Sequence, residues 1–136
     1  MSSWDEMTSV ERAVLTNAFE SDILPGIIND IEDLPYEEAV IEAARTVLAF
    51  IEAGYAELRR YRNVPTPLGT TGEGLVHGEL IPKAELGSIL ADPQTWEYPS
   101  DPRWEGALVL VGTPEGYKIS HRVEGDEVPP LWQWQG

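Results

Sequence analysis

Apolar residues recur at helical spacing through the first third of the chain. This spacing predicts a first helix from about Ser9 to Ser21, and Thr8 with Glu11 three residues later has the form of a capping box at its start. Pro25 suits a first helical position, and the apolar residues after it predict a short second helix over about Pro25–Asp33.

A third and longer helix is predicted after Pro35, with Gly54 placed to end it. The charged residues of this stretch fall mostly off one apolar stripe, which consists of Tyr36, Val40, Ala43, Val47, Phe50 and Ile51. The stretch Tyr55–Arg62 follows directly, and its aromatic content and partial alternation predict a half-buried strand.

The second half of the chain is less regular. Residues Asn63–Gly78 are rich in Pro, Gly and Thr, which predicts a surface excursion, and a short helix is expected between Ile81 and Asp92. The apolar run Ala107–Val111, a turn rich in Gly and Pro, and then Tyr117–His121 together predict a β-hairpin.

These elements predict an α+β fold in one domain spanning residues 1–136. The expected parts are a helical region over about 8–54, a region over about 55–122 that holds a small antiparallel sheet with a helical insertion, and a tail at 123–136. Hydrophobic residues make up 42% of the chain, which is ordinary for a globular protein and sufficient for a core.

Charge is the bulk property that departs most from the ordinary. The chain has 24 acidic and 9 basic residues, a formal net charge of −15. Such a field repels nucleic acid phosphates and anionic membranes and speeds encounter with basic surfaces. Solubility is the simplest explanation of this acidity, and a basic partner is the alternative.

The composition also excludes some chemistry. There is no cysteine, so disulfides, thiolate metal sites and cysteine nucleophiles are excluded, as fits a reducing compartment. The first six residues lack the pattern of a signal peptide, and no apolar run approaches the length of a membrane span. We therefore expect a cytoplasmic protein that does not bind membranes.

The order of the predicted elements resembles that of a winged-helix domain. The resemblance rests on Phe50–Leu58, which look like the helix-to-strand junction common in that superfamily, and it covers about residues 8–62 and 107–122. Separately, through the pattern Ala91–Trp96, the last 80 residues are similar to small acidic proteins of high-GC bacteria, which favours a bacterial cytoplasmic setting.

The winged-helix resemblance implies a DNA-binding transcriptional regulator whose third helix enters the major groove. Here that helix carries Glu37, Glu38, Glu42 and Glu52 against the single base Arg45, and residues 1–54 hold 12 acids and 2 bases. Because nucleic acid affinity comes mainly from neutralising phosphates, DNA regulation is the alternative hypothesis.

The leading hypothesis is a non-enzymatic, acidic protein-interaction domain whose partner is another protein, and the charge suits a basic one. The acidic side of the second and third helices supplies the expected contact residues, Asp30, Glu32, Asp33, Glu37, Glu38 and Glu42. Trp132 and Trp134 in the tail are further candidates, either to dock on a partner or a second copy of the chain, or to pack on the protein itself.

Arg59, Arg60 and Arg62 form a basic cluster that could grip an anion, although pairing with the protein's own acids is the favoured explanation. The two histidines, His77 and His121, lack an accompanying nucleophile motif and lack the ligand spacing of a zinc site. We therefore predict no catalytic residue, no metal and no cofactor, with a small enzyme that uses His77 or His121 as a third hypothesis.

Overall fold

The structure is a computed structural model, and it describes residues 4–20, 22–64, 74–100 and 106–121. Five helices and three strands follow one another in these ranges. They are α1 (Ser9–Glu20), α2 (Leu24–Asn29), α3 (Tyr36–Ala53), β1 (Ala56–Val64), β2 (Gly74–Leu80), α4 (Lys83–Ala91), β3 (Leu108–Gly112) and α5 (Pro114–Ser120), with short 3-10 turns at Trp4–Glu6 and Pro93–Trp96.

Helix α1 begins at the predicted capping box. The Glu11 backbone N–H donates to Thr8 Oγ1 over 3.1 Å, and the Thr8 N–H donates to the Glu11 carboxylate over 2.9 Å. Two backbone donors that the helix itself cannot satisfy are thereby bonded. The predicted start of this helix is confirmed.

Helix α3 ends at Gly54, also as predicted. Gly54 has φ 83°, in the left-handed region that only glycine enters without steric cost, and its N–H donates to Ile51 O over 3.1 Å. Tyr55 N–H then donates to Phe50 O over 2.9 Å, which turns the chain directly into β1.

Helix α2 is shorter than predicted, since it ends at Asn29 and not near Asp33. In a longer α2 the last turn would have contained Asp30, Glu32 and Asp33. Carboxylates there are repelled by the partial negative charge of the helix C-terminus, which disfavours the longer helix. These acids lie in the connection to α3 instead.

The strands form one antiparallel sheet in the order β2-β1-β3. Strand β2 corrects the predicted surface excursion, because Gly74–Leu80 pairs with β1 and only residues 65–73 of that stretch lie outside the described chain. Gly78 explains the error: a Cβ there would lie 2.8 Å from Arg60 O and 2.7 Å from Arg62 Cγ. This glycine permits a close approach of strands rather than a turn.

The predicted hairpin is wrong in its second strand. Residues Pro114–Ser120 form α5, not a strand that pairs with β3. Pro114 takes the first helical position, and Thr113 Oγ1 caps the helix by accepting from Gly116 N–H over 3.2 Å. The same hydroxyl donates to Gly54 O over 2.6 Å, which fixes the start of α5 against the end of α3.

The main core lies between the helices and one face of the sheet. Leu58 and Leu110, paired across β1 and β3, are 1% and 0% exposed, and they belong to the same buried cluster as Leu15, Val47 and Trp96. The Trp96 indole N–H donates to Leu90 O over 3.0 Å, so its one polar atom is satisfied inside the core.

A smaller cluster of Ile23, Tyr61, Val109 and Val111 is also buried. Val109 and Val111 alternate with Leu110 along β3, so this cluster lies on the other face of the sheet. The fold is therefore α+β: three helices, then a small antiparallel sheet interrupted by the helical insertion α4, a layout consistent with the winged-helix-like prediction.

Candidate functional site

The six predicted acidic residues lie on one continuous stretch, from the end of α2 to the second turn of α3. Between positions 30 and 42 the chain has six acids and no base. Five of the six side chains belong to exposed residues, and Glu42 is half-buried. We call this set the acidic surface: Asp30, Glu32, Asp33, Glu37, Glu38 and Glu42.

Four members of the acidic surface, Glu32, Asp33, Glu37 and Glu38, have neither an ion pair nor a side-chain hydrogen bond among the described residues. Glu42 pairs with Arg45 over 3.1 Å, but the Arg45 side chain is 71% exposed, so this pair contributes little stability. With respect to the described part of the chain, the negative charge of these four residues is therefore available to an outside cation.

Asp30 is held in place from α1. Asn17 is 1% exposed, and its Nδ2 donates to Asp30 Oδ2 over 2.7 Å and to Ala13 O over 2.8 Å. Hydrogen bonds to a charged group are stronger than neutral ones. This contact positions the end of α2, and with it the start of the acidic surface, against the first helix.

An apolar groove of about 410 Å³ adjoins the acidic surface. We call it the α1–α3 groove because its walls come from the start of α1 and the outer side of α3. Its lining residues are Thr8, Val10, Leu34, Glu38, Ile41, Glu42 and Thr46. Ile41 is 57% exposed, although isoleucine is among the residues most often buried.

Glu38 and Glu42 belong both to the acidic surface and to the groove. They stand four residues apart on α3, about one helical turn, so their carboxylates lie on the same side of the helix. The groove thus offers apolar side chains with two carboxylates on its α3 wall. An aliphatic side chain flanked by cations matches this arrangement.

The arginine cluster is mostly paired internally, as favoured from the sequence. Arg59 Nη1 donates to Gly78 O over 3.0 Å, and its Nη2 lies 3.5 Å from Glu57. Arg62 forms a two-pronged ion pair with Glu79, and this hydrogen bond is the main reason that the pKa of Glu79 lies below its usual value. Arg60 forms no direct ion pair in the described part of the chain, although its charge contributes, after that of Arg62, to lowering the pKa of Glu79.

His121 packs against aromatic side chains at the end of α5. Its ring stacks on Tyr117 with centroids 3.9 Å apart, and its Nδ1 lies 2.6 Å from Ser120 Oγ. The side chain of His77 lies outside the described atoms, as do Trp132, Trp134 and the whole tail. Within the described ranges, no three acidic or histidine side chains come together in a way that could hold a metal ion.

The α1–α3 groove is the feature that sequence reasoning missed. The predicted apolar stripe of α3 omitted Ile41, while Tyr36, which it included, is 57% exposed. An isoleucine on the charged side of an amphipathic helix was the available signal. The partners of Ile41 in the groove, Val10 and Leu34, could not be named without the packing of α1 beside α3.

Comparisons with family models, with curated proteins and with solved structures give no match for this chain. None of the described helices combines the length and the apolar composition that crossing a membrane requires. The features of this chain that indicate a function are therefore the acidic surface and the adjoining α1–α3 groove.

Proposed function

We propose that this chain is a non-enzymatic interaction domain that binds a basic segment of another protein. The observation that carries the proposal is the junction of exposed acids with an apolar groove. Glu38 and the Arg45-paired Glu42 line the groove, while Glu32, Asp33 and Glu37 extend the same charge beyond it.

Charge selects the kind of partner. Residues 30–42 include six acids and no base. This stretch repels an acidic surface, including the same surface of a second copy of this chain. It also repels phosphates, so the exposed side of α3 does not support the DNA-binding alternative. A segment rich in Lys or Arg gains both attraction and faster encounter.

The groove adds a requirement for shape. Interfaces draw most of their affinity from a few apolar or aromatic anchors in pockets, while rim charges set encounter rate and register. The best-fitting segment therefore places one aliphatic side chain against Ile41 and Leu34, with Lys or Arg on either side to pair with Glu38 and Glu42. Such a partner would bind quickly and lose affinity as salt is added.

Two charge-matched variants test the proposal. The surface variant carries Glu32→Gln, Asp33→Asn, Glu37→Gln and Glu38→Gln. The control variant carries four neutralisations at exposed glutamates elsewhere: Glu20→Gln, Glu52→Gln, Glu85→Gln and Glu97→Gln. Both lose four negative charges, so their net charge is the same and only the location differs.

In capture from host lysate, we expect the wild type and the control variant to retain the same basic protein at low salt and to release it at high salt. The surface variant should retain about one tenth as much of this basic protein, or less, because each negative charge lost at the edge of the interface slows association. Equal retention by the two variants would mean that net charge alone attracts the protein. Retention that persists at high salt would contradict an electrostatic interface.

A further inference from the structure

Strand β1, through Arg60, lines a second concavity. This concavity shares no residue with the acidic surface or the α1–α3 groove. It is a cleft of about 320 Å³, at the lower end of the range typical of small-molecule sites. We call it the Arg60 cleft, and its principal lining residues are Ile23, Pro25, Arg60, Gln94, Tyr98 and Leu108.

Among the described residues that line this cleft, Arg60 is the cation. Its side chain is half-buried, and Nη1 donates to Gly106 O over 3.0 Å. A guanidinium has five N–H donors, and in the described part of the chain Arg60 uses no other. Among the described residues, no acceptor is bonded to its Nε and Nη2, the pair of donors that forks onto a carboxylate.

The rest of the lining limits what could bind there. Pro25, Leu108 and Ile23 supply apolar contact area, and the Gln94 side chain can add a neutral hydrogen bond. Tyr98 is held at the cleft because its hydroxyl oxygen accepts a hydrogen bond from Asn29 Nδ2 over 2.6 Å. A ligand with one anionic group and a compact apolar body matches these walls.

Charge around the cleft favours a single negative charge. Glu97 also lines it, and the whole chain is strongly acidic, so a phosphate dianion would meet more repulsion than a carboxylate. A planar carboxylate also matches the planar fork of the guanidinium. We infer that the Arg60 cleft binds a small monocarboxylate with an apolar body, with Arg60 as its anchor.

Benzoate is a suitable probe, with benzamide as the neutral isostere and inorganic phosphate as the more highly charged anion. In amide-resolved NMR titrations of the full chain, benzoate should produce saturable shifts at Arg60, Gln94 and Gly106. Arg60→Gln should weaken this binding about tenfold or more, because a charge-assisted hydrogen-bond pair is lost. Benzamide and phosphate should bind more weakly than benzoate.

Two further variants keep the test decisive. Arg59→Gln is the matched control. Arg59 and Arg60 pair with successive residues of β3, so their side chains face opposite sides of the sheet. The Arg59→Gln variant should therefore bind benzoate as the wild type does. Gln94→Glu, at an exposed position, places a competing carboxylate on the cleft wall and should abolish binding even if Arg60→Gln fails to fold. Equal shifts with benzamide, binding retained in Gln94→Glu, or no response to benzoate would each overturn the assignment.

Discussion

Replacing Gly116 with alanine should lower the free energy of unfolding by about 3 kcal/mol, although alanine is the better helix former. Gly116 lies in α5, which packs on the junction between α3 and β1. A Cβ at this position would overlap the Tyr55 carbonyl oxygen and lie 3.4 Å from Leu15 Cδ1. Because the obstacle is backbone, no side-chain rotation relieves it.

Gly87→Ala is the matched control for this prediction. Gly87 also lies in a helix, α4, but a Cβ there would meet nothing within 4 Å. Removing backbone freedom without a clash should stabilise the protein by about 0.5–1 kcal/mol. Opposite signs in urea unfolding of the two variants are expected, and a neutral or stabilising Gly116→Ala would show that α5 does not pack as described.

The second large effect concerns Tyr61 at high pH. Burial, followed by the negative charge of Asp22, raises the pKa of its hydroxyl from 10.0 to about 12. Because the pKa of Tyr61 is higher in the folded than in the unfolded chain, the neutral hydroxyl contributes to the free energy of unfolding. This contribution is fully present below the unfolded-state pKa near 10 and is lost as pH rises through the folded-state pKa. The loss should amount to about 2–3 kcal/mol, since one pKa unit corresponds to roughly 1.4 kcal/mol.

Tyr61→Phe isolates this effect, because the substitution removes the Tyr61 hydroxyl and changes no other ionisable side chain. The variant should lose less stability than the wild type as pH rises above about 10. Denaturant unfolding at a series of pH values measures the difference. Parallel pH profiles for the two proteins would show that the Tyr61 hydroxyl ionises without hindrance and is not buried in its cluster.

The elements that the sequence predicted well are those governed by local rules. The start of α1 depends on Thr8 and Glu11, and the end of α3 depends on Gly54, all within one turn of the chain. Strand β1 follows directly from that glycine. Together with the apolar run that forms β3, these features predicted an α+β fold, although the second strand of the expected hairpin is a helix.

The errors fall where distant contacts decide the local structure. Gly78 indicated a turn by composition, yet it sits within β2 because Arg60 and Arg62 of β1 pass close to it. The segment after β3 alternates like a strand, but Thr113 anchors it to Gly54 as a helix, a contact across 59 residues. Neither approach is visible in a local window.

The candidate site divides in the same way. Its charges follow one another along the chain, so the acidic residues could be named from the sequence. The groove needs Val10 and Leu34 beside Ile41. The difference between Arg60, which bonds to a backbone carbonyl, and its ion-paired neighbours Arg59 and Arg62 is likewise seen only in the folded chain. Proximity in space and the use of hydrogen-bond donors are properties of the folded chain.

The most direct test of the proposed function is site-specific photo-cross-linking in host cells from position 41, inside the α1–α3 groove, with position 85 on α4 as the control. We expect position 41 to capture a peptide of another protein in which Lys or Arg flank an aliphatic residue. This product should disappear when Glu38→Gln and Glu42→Gln are introduced, and position 85 should not yield it. An acidic or uncharged peptide at position 41, the same product from both positions, or no product would contradict the account.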